Sequence, residues 1–149
     1  MRQFQREERI AASIHRVWAI LVDLERWPEW NASVTRIEEL NSRPLGLGSR
    51  VRIHQPKLHP AVWVVTAWEP ESRFVWEAAG PGVTVVGSHV LKACEGGCEV
   101  TLDLRFDGWL GRLASHLKGR LAECYVRCEA EGLKARSQSS LQAYAPSGP

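Results

Sequence analysis

The sequence predicts an α+β domain: a seven-stranded antiparallel sheet, two short helices after its first strand, and one long helix at its C-terminal end. Three observations carry that expectation. Apolar residues recur at every second position through most of the stretch from Ser33 to Asp107. Clusters of Gly, Pro, Asn and Ser break that stretch into six runs. After Gly108 the apolar period changes to three and four. A sheet must bury one face, and the last helix is the only large cover the chain provides.

The elements are taken in order. Phe4 to Ala11 alternates loosely and reads as an edge strand. Ser13 is placed to cap a helix whose apolar positions are Ile14, Val17, Trp18, Leu21 and Val22. Pro28 interrupts, which leaves Leu24 to Trp30 as a second helical turn or a kinked continuation. Strands are then expected at about Val34–Leu40, Ser49–Gln55, Ala61–Trp68, Arg73–Ala79, Val83–Ala93 and Cys98–Asp107, with turns that include Asn41-Ser42-Arg43-Pro44 and Gly96-Gly97. Leu110, Leu113, Leu117, Leu121, Cys124 and Cys128 set the apolar stripe of a helix over about Leu110–Arg136. The expectation is one domain over residues 1–136, followed by a flexible tail at 137–149.

Composition bounds the function. With 149 residues the chain can bury a sizeable core without disulfides or metal. A net charge of +2 spread along the sequence does not suggest a nucleic-acid partner. The N-terminal residues lack a secretory pattern, and no apolar run is long enough for stable membrane insertion, so a cytoplasmic setting is expected. The pairs Cys94/Cys98 and Cys124/Cys128 lack zinc-site spacing, which leaves no metal and no cofactor expected, with the cysteines reduced. Seven tryptophans against one methionine are a large aromatic load for one domain, to be placed either in a core or around a cavity.

Strand parity sorts the side chains. Val100, Leu102, Leu104 and Phe106 alternate with charged or polar residues and face the core. Across a two- or four-residue turn they bring Val85, Gly87, His89 and Leu91 to the same face, with Cys98 inward and Cys94 outward. Placing Glu77 in solvent sends Phe74, Trp76 and Ala78 inward, opposed by Trp63, Val65 and Ala67, which puts Trp68 outward. Val51, Ile53 and Gln55 face in on the preceding strand.

Several motifs resemble the START-like, Bet v 1-like superfamily, and within it the bacterial polyketide cyclase/dehydrase and lipid-transport group. They are Val17-Trp18-Ala19 with Asp23, Trp27-Pro28-Glu29-Trp30-Asn31, Gly46-Leu47-Gly48-Ser49-Arg50, and Trp68 to Trp76. Gly96-Gly97 stands where such proteins often have Gly-Thr, with Cys98 in place of the threonine. The resemblance covers about Ile10 to Lys134 and implies a helix-grip fold, in which a curved sheet wraps the last helix around a cavity. Close packing alone favours a filled core; the resemblance favours a pocket.

The ligand-binding residues expected on that basis are Trp30, Ile53, Gln55, Trp63, Val65, Phe74, Trp76, Val85, Gly87, His89, Leu102, Leu104, Phe106, Leu117, Leu121 and Cys124. His89 is the candidate acid or base, with a simple hydrogen-bonded core histidine as the competing reading. The favoured function is binding of a hydrophobic or aromatic small molecule such as a lipid, polyketide or isoprenoid. Cyclase/dehydrase-like catalysis is the alternative, and a protein-interaction module a further one. Whether the protein is a monomer or a homodimer stays open.

Overall fold

The computed structural model describes residues 3–41 and 44–144. The element order is β1 (Gln3–Ile10), α1 (Ile14–Val22), a 3-10 turn (Leu24–Arg26), α2 (Trp27–Trp30), β2 (Arg36–Glu39), β3 (Arg50–His54), β4 (Ala61–Glu69), β5 (Arg73–Gly80), β6 (Val83–Cys94), β7 (Gly97–Asp107) and α3 (Gly111–Tyr144). The strands form one antiparallel sheet in the order β1-β7-β6-β5-β4-β3-β2. β2 to β7 are a meander, and β1 returns to pair with β7 at the opposite edge.

Local chemistry accounts for the joints. Ser13 Oγ accepts from the Arg16 amide at 3.2 Å and starts α1. Pro28 sits in the first turn of α2, where a missing N–H costs nothing. The β6–β7 hairpin turns on Glu95-Gly96, with Gly96 at φ +84°, a conformation glycine adopts without strain. That two-residue turn sets Leu91 opposite Val100 and His89 opposite Leu102, the parity expected from sequence. Cys98 is fully buried, Cys94 is half-buried, and all four cysteines are free thiols.

In β4 the observed register differs from the simple alternation. A bulge lies between Val65 and Ala67, so Val65 pairs with Trp76 but Trp68 pairs with Phe74. An extra residue flips the parity of the positions after it. Trp68 therefore turns inward, against Trp18 (5.3 Å between ring centroids) and Phe74 (5.8 Å).

α3 also differs from its expected span and phase. It runs past Arg136 to Tyr144, into the segment read as a tail. Ser137 is fully buried, its carbonyl accepts from Arg16 Nε at 2.9 Å, and the Gln138 side chain accepts from the Ala11 amide at 2.9 Å. The end of the helix is thus held at the β1–α1 corner. Residues 145–149 and part of the turn expected at 41–44 lie outside the described residues. The positions α3 buries most are Gly111, Ser115, Gly119, Ala122, Val126, Ala130, Leu133 and Ser137, mostly small, while Leu113 and Leu117 are 54% and 69% exposed. A helix lying close to β1 and β7 needs narrow side chains beneath it, so size rather than hydropathy sets the buried face.

Candidate functional site

Between the sheet and α3 lies a cavity of about 330 Å³, within the size range of small-molecule sites. Its back wall comes from β3 to β7: Ile53, Gln55, Trp63, Trp76, Val85, Gly87, His89, Leu102, Leu104 and Phe106. α3 supplies Ala114, Lys118, Leu121, Ala122, Tyr125, Val126 and Glu129, and Trp27, Ser33 and Val34 close one end. Leu58 and Lys118 belong both to the lining and to the surface, so the opening lies between the β3–β4 loop and the first turns of α3. Tyr125 donates its hydroxyl to the Pro56 carbonyl and ties that loop to the helix.

Aromatic rings shape the interior. Trp27 is 1% exposed and is fixed by an indole N–H donated to the Leu21 carbonyl at 2.8 Å. It meets Trp76 at 5.5 Å, and Trp76 meets Trp63 at 5.8 Å. Gly87 makes room for this cluster, because a Cβ there would lie 3.0 Å from Trp76 Nε1. The space above Gly87 thus holds the Trp76 indole as well as the cavity wall. Trp63 Nε1 is buried with no hydrogen-bond partner among the described residues. It leaves one donor on the lining whose desolvation costs about 1–3 kcal/mol unless a polar group meets it.

The main polar feature is His89, 3% exposed. Its ring stacks on Phe74 at 4.0 Å and 11°. Nδ1 lies 3.3 Å from the Phe74 carbonyl, an acceptor, which makes Nδ1 the donor. Nε2 lies 2.9 Å from Glu129 Oε2, whose side chain is 17% exposed. Among the described residues that oxygen has no aligned hydrogen-bond donor, so the contact is a close approach rather than a linear hydrogen bond. A histidine and a carboxylate side by side in an apolar chamber can orient a ligand's polar group or move a proton to it.

Eleven of the sequence-derived site residues meet in this lining: Ile53, Gln55, Trp63, Trp76, Val85, Gly87, His89, Leu102, Leu104, Phe106 and Leu121. Five lie elsewhere. Val65 and Phe74 are packed in the core beneath the lining. Trp30 leans on Trp27 and backs onto Gly132 of α3. Leu117 points to solvent and Cys124 lies beside it in the helical order, because α3 is rotated by about one residue from the expected phase. Glu129, Tyr125, Lys118 and Trp27 are among the lining residues that parity and periodicity missed. The sequence signal for the first three was their spacing of seven and four residues, which places them on one flank of the helix.

The cysteines take no part in this chemistry. Burial pushes the Cys98 thiol up, and burial together with the neighbouring Cys124 thiol pushes Cys128 up, the opposite of what a nucleophile needs. Among the described residues no three His, Cys, Asp or Glu side chains gather to hold a metal ion, and no helix is long and apolar enough to cross a membrane.

A curved antiparallel sheet gripping a long C-terminal helix around an apolar chamber defines a helix-grip protein. The chain belongs to the polyketide cyclase / dehydrase and lipid transport family, whose model matches residues 1–138. Among solved structures, TTHA0849 of Thermus thermophilus is similar at a TM-score of 0.74 and 22% identity, covering 97% of this chain and 100% of that one. A START superfamily protein of Mycobacterium smegmatis is similar at 0.71 and 16%, covering 91% and 96%. Ara h 8.0201 is similar at 0.62 and 14%, covering 89% and 97%. At these identities the likeness is one of fold. No curated protein matches the sequence.

Proposed function

We propose that the protein binds a hydrophobic small molecule carrying at least one polar group, in the chamber between sheet and α3. The single observation behind this reading is a mostly apolar, aromatic-walled cavity with His89 and Glu129 2.9 Å apart on its lining. Membership of a family described by lipid transport and by cyclase/dehydrase activity supports the same class of ligand. The Trp63 indole N–H and the Glu129 carboxylate would meet the polar group, and the rings of Trp27, Trp63 and Trp76 the apolar body.

Titration with anilinonaphthalene sulfonate tests this. The wild-type protein is expected to bind it saturably, with quenching of tryptophan emission. Leu104→Trp adds bulk at a half-buried lining position and is expected to weaken binding at least ten-fold, in a variant whose cooperative melt shows that it stays folded. Equal binding by the two proteins would overturn the reading.

The His89–Glu129 contact supports a second reading, proton transfer to or from a bound carbonyl compound, as in cyclisation or dehydration. Under it Glu129→Gln abolishes turnover of an accepted substrate while retaining its binding. Unchanged turnover excludes that role.

A further inference from the structure

We infer that the face around the cavity opening is a docking surface for an anionic lipid membrane. Trp109 is 83% exposed, and Leu113 and Leu117 come after it at one-turn intervals on the solvent side of α3. Leu58 is exposed at the tip of the β3–β4 loop, on the other side of the opening. Large apolar side chains gathered at one place on a surface mark an interaction site.

Charge chooses the partner. The segments 55–60 and 108–122 contain Lys57, Arg112, Lys118 and Arg120 and no Asp or Glu. All four cations are exposed, and none has an ion-pair partner among the described residues. The whole chain nets +2, so the rest of the molecule is net negative and the positive charge is concentrated on this face. A basic helix edge with a tryptophan and leucines pointing outward is the pattern that lies in the headgroup region of a bilayer, with the rings at the interface and the cations on anionic lipids. The same geometry sets the opening against the membrane, where an apolar ligand could pass without crossing water. Docking does not depend on the chamber being filled, so it can fail while ligand binding stands, and the reverse.

The test is flotation of the wild-type protein with vesicles of phosphatidylcholine alone and with vesicles containing phosphatidylserine as well. The expected result is binding to the anionic vesicles only, weakening as salt is raised. Arg112→Gln and Arg120→Gln are each expected to weaken it about five-fold, and Leu113→Ser with Leu117→Ser at least ten-fold. All four sites are exposed, so melting temperatures should hold. Arg9→Gln, on the exposed side of the distant β1 edge, should leave binding unchanged. No binding to either vesicle, or binding indifferent to these substitutions, overturns the inference. So does a dimer in sedimentation, without vesicles, that Leu113→Ser and Leu117→Ser dissolve; that outcome would make the face a contact between copies.

Discussion

Replacing His89 by Phe and Glu129 by Leu, singly and together, measures the pair at the centre of the chamber. Phe at position 89 offers a slightly larger flat ring to stack on Phe74 and removes both nitrogens, the donor to the Phe74 carbonyl included. When His89 is protonated, its charge and that of Glu129, 2.9 Å apart, attract by about 6 kcal/mol at an effective dielectric of about 20. Withdrawing each ion from water costs several kcal/mol, so the net worth of the pair is small. Removing one partner is different, because it strands the other in an apolar wall. Each single variant is therefore expected to lose about 2–4 kcal/mol, a fall in Tm of about 5–10 °C for a chain of this size. The double variant strands nothing and is expected to lose no more than either single one. Urea denaturation of the four proteins gives the coupling, expected at no less than the loss of one single variant, about 2–4 kcal/mol. Losses that add to within about 0.5 kcal/mol would refute the pair as an energetic unit.

Three further outcomes are expected. Gly132→Ala should destabilise, although alanine normally helps a helix by about 1 kcal/mol. The new Cβ would collide with the Trp30 carbonyl group, and a stabilised variant in thermal melts would show that α2 does not sit there. Thiol titration with a disulfide reagent should leave Cys98 unreacted until denaturant is added, because the side chain is fully buried and burial raises its pKa; labelling at the native rate of the half-buried Cys94 would contradict that placement. Glu38 on β2 is held below the usual carboxylate range by a hydrogen bond with His54 and by Arg36 and Arg52. Its contribution is thus complete above the ordinary glutamate pKa of 4.5 and lost as pH falls through the lowered folded value. Melting curves of wild type and Glu38→Gln should converge in acid and separate near neutrality; a constant gap would exclude the mechanism.

Much of the site can be read along the chain because strands repeat every two residues. Once the β6–β7 turn is fixed at two residues, every side chain from Val85 to Leu91 and from Val100 to Phe106 has only one face available. The same rule failed at Trp68, where one bulged residue in β4 reversed the parity with no composition signal to mark it.

Alternation and turn chemistry are local properties, and they suffice for the order of elements, the membership of the sheet and the inward set Ile53, Trp63, Trp76, His89, Leu102 and Phe106. The rotation of α3 is a tertiary outcome. Hydropathy selects the Leu113–Leu117 stripe as the buried face, but the approach of the helix to β1 and β7 selects the narrow one. That single rotation brought Glu129 to His89, took Leu117 out of the cavity, and left an apolar, basic edge beside its opening. It depends on how closely two distant segments pack, a quantity that no local pattern along the chain encodes.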